Sequence, residues 1–106
     1  MAKSTKPFER GRIIRALYLA RGDSESNEVA FQVLHSTLDL WGFPVHTDDL
    51  DTELLYLEDS GLVALRRIDD HGRSTWAVKL TPTGVDIHEK TVDAPPGVVV
   101  VRLKGE

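Results

Sequence analysis

Between residues 47 and 68 the apolar pattern changes period, and this switch constrains the fold more than any other feature. Leu50, Leu54 and Leu57 stand at i, i+4 and i+7, the spacing of one face of a helix. Past Ser60-Gly61 the period shortens. Leu62-Val63-Ala64-Leu65-Arg66-Arg67-Ile68 has the residues of a strand, Asp69-Asp70-His71-Gly72 is rich in turn formers, and Ser74 to Leu80 forms a second strand-like run. A helix that stops at a glycine and leads straight into a β-hairpin must fold the hairpin back beside itself, so helix and strands share one core.

The remaining elements are predicted around that junction. Residues 1–7 are polar, end at Pro7 and are expected to form a flexible lead-in. From Phe8 to about Ala20, Ile13, Ile14, Leu17, Tyr18 and Ala20 recur at helical spacing, with Arg10, Arg12 and Arg15 on the outer face. Gly22, Asp23 and Ser24 supply a stop and a turn. Ser26 or Asn27 then offers an N-cap for a second helix reaching about Trp41 and burying Val29, Ala30, Val33, Leu34, Leu38 and Trp41. Gly42-Phe43-Pro44 ends it, because glycine suits the left-handed position after a helix and proline cannot extend one. Thr47 is the expected N-cap of the third helix. Thr81-Pro82 places a cap and a first helical residue at the start of a short fourth helix running to about Lys90. After Pro95-Pro96-Gly97, the valine run from Val98 to Leu103 favours a strand.

Composition narrows the class. With 106 residues, 41% of them hydrophobic and 28% charged, the chain has the profile of one ordinary globular domain. It contains no cysteine, which excludes disulfides, thiolate zinc sites and a cysteine nucleophile. No apolar run approaches the roughly 20 residues of a membrane span, and the start has no apolar signal core, so a soluble cytoplasmic protein with no membrane partner is expected. His35, His46, His71 and His88 make no compact ligand spacing, and neither a glycine-rich phosphate loop nor Gly-x-Ser-x-Gly occurs. No metal, cofactor or catalytic residue is predicted, and the chain is not expected to be an enzyme. Trp41 and Trp76 fit the core and the base of the hairpin better than a ligand box.

The order helix, helix, turn, helix, hairpin is the plan of a winged helix-turn-helix. The expected class is mainly α (α+β): a three-helix core with a β-hairpin wing, a short fourth helix and a C-terminal strand or tail. Residues 8–93 form the domain and residues 94–106 an extension. Two phrases sharpen this. Leu54-x-x-Leu57-Glu58-x-x-Gly61-Leu62-Val63 resembles the close of the recognition helix in MarR-, PadR- and ArsR-type regulators, and Leu80-Thr81-Pro82-Thr83-Gly84 resembles their exit from the wing. Over about residues 8 to 93, the basic first helix, Leu40-Trp41-Gly42, Val45-His46-Thr47-Asp48-Asp49-Leu50-x-Thr52-Glu53-Leu54 and the wing are similar to small proteins of Mu-like phages and prophages. That resemblance implies a phage origin in a bacterial cytoplasm. The family pattern often has basic residues at positions matching Asp48, Asp49 and Asp51, where this chain is acidic.

Charge then divides the functional readings. Residues 1–21 have six basic side chains against Glu9 alone, a balance of +5. Residues 22–65 have ten acidic side chains and no basic one, −10, and residues 66–106 balance at +1. Affinity for DNA rests on Lys and Arg neutralising phosphates, so a third helix exposing Asp48, Asp49, Asp51, Thr52 and Tyr56 is a poor reader of a groove. Its carboxylates also complement the helix dipole, which needs no partner to explain them. One reading is a regulator that contacts duplex DNA through wing and first-helix arginines: Arg10, Arg12, Arg15, Arg66, Arg67 and Arg73. The other is a protein-interaction module whose acidic third helix faces a protein partner. In a third, blander reading, the arginines only solvate their faces. A homodimer through the first helix, the valine-rich strand or both suits a chain of this size.

Overall fold

The computed structural model describes residues 6–20, 27–89 and 95–100. Its elements are α1 (Lys6–Ala20), β1 (Glu28–Ala30), α2 (Phe31–Leu40), α3 (Thr47–Asp59), β2 (Val63–Asp70), β3 (Arg73–Leu80) and α4 (Pro82–His88). Ile13, Ile14 and Leu17 of α1, Leu34 and Leu38 of α2, and Leu50, Leu54 and Leu57 of α3 meet in one core that the base of the sheet closes with Val63, Val78 and Leu80. Among the described residues no helix is long and apolar enough to cross a membrane.

The hairpin forms as predicted and is longer than predicted. β2 and β3 pair antiparallel from Val63↔Leu80 to Asp70↔Arg73, joined by a two-residue turn in which His71 (φ 50°) and Gly72 (φ 79°) both take positive φ. This is the I′ geometry whose twist matches that of the strands. The core covers only the base of the hairpin, so its outer half projects as a wing.

The sheet gains a third strand that the sequence reading placed in a helix. Glu28, Val29 and Ala30 form β1, pairing antiparallel with β3 in the order β1-β3-β2. Val29 is buried opposite Val78, whereas Ala30 is exposed. Three residues are too few for periodicity to separate strand from helix, and here the open edge of β3 decides. The buried stripe of α2 accordingly becomes Phe31, Leu34 and Leu38, and Val33 is exposed rather than buried. The predicted caps at Ser26 or Asn27 give way to Ala30, which makes no side-chain cap bond; Gly22, Asp23, Ser24 and Ser26 lie outside the described residues.

Three smaller corrections follow the same logic. Helix α1 begins at Lys6, with Pro7 in its first turn where a missing N–H costs nothing, so the end of the predicted lead-in is helical. His46, not Thr47, caps α3: its Nδ1 accepts from the Asp48 N–H at 3.3 Å. The strand expected from Val98 to Leu103 is absent over its described part. Val98 is buried in the core, and the Val99 N–H donates to the Pro7 carbonyl at 2.9 Å, so this segment packs on α1 instead of joining the sheet. Residues 101–103 lie outside the described residues.

The two junction phrases recognised in the sequence touch each other. Helix α3 ends with Gly61 at φ +78°; Gly61 N–H donates to the Glu58 carbonyl and Leu62 N–H to the Leu57 carbonyl, both at 2.9 Å, which closes the helix. The Glu58 carboxylate accepts from the Leu65 N–H at 3.0 Å, fixing where β2 starts. Thr81 donates its N–H to the Leu62 carbonyl (3.0 Å) and its hydroxyl to the Gly61 carbonyl (2.7 Å), and that hydroxyl accepts from the Gly84 N–H (3.1 Å). A Cβ at Gly84 would stand 2.4 Å from the Leu62 carbonyl oxygen, whereas one at Gly61 would meet nothing within 4 Å. Gly61→Ala therefore carries only backbone strain, about 1 to 2 kcal/mol. Gly84→Ala must move backbone, with an overpacking cost of about 1 to 3 kcal/mol. Urea denaturation of both should show two destabilised proteins, and a second substitution, Thr81→Val, should be less than additive with Gly84→Ala and additive with a distant core change.

Candidate nucleic-acid interface

Helix α3 owes its placement to Leu50, Leu54 and Leu57, all fully buried. That leaves Asp48, Asp49, Thr52, Leu55, Tyr56 and Asp59 exposed, with Asp51 half-buried. The Thr52 hydroxyl donates back to the Asp48 carbonyl at 3.0 Å. Asp48 Oδ2 lies 3.8 Å from His46 Nδ1. Asp48 and Asp51 border a cleft of about 400 Å³ between the start of α3 and the wing, closed on the far side by Arg73, Ser74 and Trp76. The helix side of this cleft is anionic.

On the wing, alternation sorts the arginines. Arg67 pairs across the ladder with Trp76 on the face that continues Val63, Val78 and Leu80 outward past the core. Its Nη2 donates to Ser74 Oγ at 2.8 Å and its Nε lies 3.6 Å from Asp69 Oδ1, with Ser74 Oγ donating to the same carboxylate oxygen at 2.6 Å. Arg66 faces the other side, where β1 brings Glu28 beside it. Its Nε and Nη2 donate to the two carboxylate oxygens of Glu28, each at 2.9 Å. This fork, and then the charge of Glu28, raises the Arg66 pKa above its ordinary value against a smaller desolvation effect. Arg73 is exposed and opens β3 next to Gly72 at the wing tip.

The arginines of α1 belong elsewhere. Arg10 donates from Nε to Glu53 Oε2 at 2.5 Å and from Nη1 to the Gly97 carbonyl at 3.0 Å, with its guanidinium carbon 3.6 Å from the centre of the Tyr56 ring. It joins α1, α3 and the C-terminal segment. Glu53 is only 4% exposed, and Lys6 approaches its other oxygen at 3.9 Å. Arg12 lies 3.8 Å over Phe43 and Arg15 lies 6.0 Å from Trp41. The six predicted arginines are thus divided among three places: Arg10 in a buried junction, Arg12 and Arg15 over the α2–α3 connection, and Arg66, Arg67 and Arg73 on the wing.

Glu53 and Glu28, which engage two of the six, were not singled out from the sequence. For Glu53 a signal existed. It sits among Leu50, Leu54 and Leu57, and a carboxylate on a leucine stripe implies a buried cation. Glu28 had none, since its position depends on β1. His35 donates from Nε2 to the Val45 carbonyl at 2.7 Å, pinning the connection before α3.

No protein-family model matches the chain, and no curated protein sequence matches it. Among solved structures, the crystal structure of Bacillus subtilis PadR in complex with operator DNA aligns with a TM-score of 0.51 at 20% identity. The alignment covers 83% of this chain and 54% of that one, so this chain spans about half the length of that protein. With its helices and projecting hairpin, the fold is a winged helix-turn-helix.

Proposed function

We propose that this chain is a DNA-binding transcription regulator that meets duplex DNA with its wing instead of its recognition helix. The observation carrying this reading is the wing itself: a hairpin projecting past the core, with Arg73 exposed beside a narrow I′ tip and Arg67 exposed farther down β2. Arg66, held by Glu28, and the α1 arginines are auxiliary. PadR, the structural neighbour, is a protein seen with operator DNA, which supports the reading. The similarity of about residues 8 to 93 to small proteins of Mu-like phages and prophages supports a place in phage or prophage gene control in the bacterial cytoplasm, and a chain of this size suits a homodimer.

The test is a salt titration with a labelled duplex followed by fluorescence anisotropy. Two phosphate contacts give a slope of log K against log salt of about −1.8, a loss of roughly twelve-fold between 50 and 200 mM. Micromolar binding with that slope, lowered ten-fold or more in Arg67→Ala/Arg73→Ala, is expected. Absence of binding at 50 mM salt removes the reading. It would leave the second one, a protein-interaction module, which one observation favours: the outward line of α3 carries Asp48, Leu55 and Asp59 and no cation.

A further inference from the structure

Helix α1 has a second line at helical spacing, opposite its buried face: Phe8, Arg12, Arg15 and Leu19, at i, i+4, i+7 and i+11. Phe8 is 45% and Leu19 52% exposed. With Trp41 and Phe43 from the connection before α3, they line an open trough of about 600 Å³. The guanidiniums of Arg12 and Arg15 lie toward the aromatic rings of Phe43 and Trp41, so an apolar floor has cationic lips. No carboxylate among the described residues lines it. A surface of this kind suits a helix that carries an apolar residue between acidic ones.

The chain itself presents such a helix. The outward line of α3 is Asp48, Thr52, Leu55 and Asp59, again at i, i+4, i+7 and i+11, with Leu55 51% exposed. Both lines run eleven residues, about 16 Å at the helical rise. Residues 22–65 contain no basic side chain to oppose the contact. Pairing α1 with α1 across a dyad would gather four guanidiniums from two copies around one apolar centre, and like charges so placed are strongly disfavoured. Setting α3 against α1 joins opposite charges instead.

We infer that the α1 trough of one copy receives the outward face of α3 from a second copy. The contact joins two different faces: met reciprocally by two copies it closes a two-fold dimer, and met by further copies it continues into a ring or an open array. It does not depend on DNA and stands whether or not the wing binds a duplex.

Sedimentation velocity without DNA tests it, with reciprocal charge reversals. The unaltered chain should associate as concentration rises at about 50 mM salt and fall back to monomer at about 1 M, where screening is within about 3 Å. Arg12→Glu/Arg15→Glu retains its acidic α3 and loses the trough; Asp48→Lys/Asp59→Lys retains the trough and loses the acidic face. Each should be monomeric alone, and an equimolar mixture should regain association, because the acidic α3 then meets the arginine-lipped trough and the lysine-bearing α3 meets the glutamate-lipped one. That regained association also shows that both variants fold, and circular dichroism of each checks this independently. A monomer at all concentrations, association unaffected by either reversal, or folded variants that fail to pair would each overturn the inference.

Discussion

Arg10→Ala will destabilise this chain by about 3 kcal/mol, which lowers the melting temperature by roughly 15 °C for a domain of this size. The reason is the partner it abandons. Glu53 is 4% exposed and belongs to a helix face otherwise made of Leu50, Leu54 and Leu57. Without Arg10 its remaining cation among the described residues is Lys6, whose side chain is 60% exposed and whose Nζ stands 3.9 Å away. A buried carboxylate left in that state retains its desolvation cost and loses most of its compensation. The same change removes the guanidinium from the Tyr56 ring and from the Gly97 carbonyl, so α1, α3 and the C-terminal segment loosen together. The control is the double replacement Arg10→Met/Glu53→Met. Apolar side chains of similar length fill the space without a charge to strand, and the double variant should return to within about 1 kcal/mol of the original. Urea denaturation monitored by circular dichroism measures both. A loss below about 1 kcal/mol in Arg10→Ala would mean that water reaches Glu53 and that the junction is not a structural tie.

How much of this was legible in the sequence depends on the range of the interactions involved. Gly61, Glu58 and Thr81 were visible because their partners are close in the chain or in the hairpin: Glu58 reaches Leu65, and Thr81 reaches Gly61 and Leu62 across the ladder. Such contacts require particular residue types at fixed offsets, so they leave phrases behind. β1 left none, since three residues have no measurable period and owe their conformation to the edge of β3, about fifty residues away. The cap at His46 was hidden by the neighbouring Thr47, a better capper by type that the backbone happens to place one residue inside the helix. The acidic face of α3 was plain in the composition, and the structure leaves those carboxylates outward. The arginine surface was not: spacing put Arg10, Arg12 and Arg15 on one outer face, but ion pairing and ring contacts separate them, and the Arg10–Glu53 bond spans 43 positions. Similarly, β1 brings Glu28 to Arg66 across 38 positions, where its carboxylate takes the Nε and Nη2 of that arginine.

The largest gain of function expected from this chain comes from helix α3. Asp48→Arg/Asp49→Arg/Asp51→Arg should create tight, strongly salt-dependent DNA binding where the unaltered helix has none. Asp48 and Asp49 are exposed on the first turn of α3, and Asp51 borders the cleft between helix and wing that Arg73 closes. A duplex seated on the wing therefore passes these three positions. Replacing three negative charges with three phosphate-binding ones removes a repulsion and adds up to three contacts, each steepening the log–log salt slope by about 0.9. Three contacts steepen it by about 2.7, which makes affinity at 50 mM salt roughly forty-fold stronger relative to that at 200 mM than the wing alone provides. The substitutions also place cations at a helix N-terminus, a cost of about 0.3 to 1 kcal/mol per residue. The core leucines on the opposite face are untouched, so the fold should persist with a lower melting temperature. Anisotropy titrations of the triple variant, the original chain and the triple variant with Arg67→Ala/Arg73→Ala separate the contributions. Binding that appears with the triple change and weakens when the wing arginines are removed places helix and wing on one duplex. If the triple variant is folded and binds no better than the original, then acidity is not what holds α3 away from DNA, and the helix does not face the groove at all.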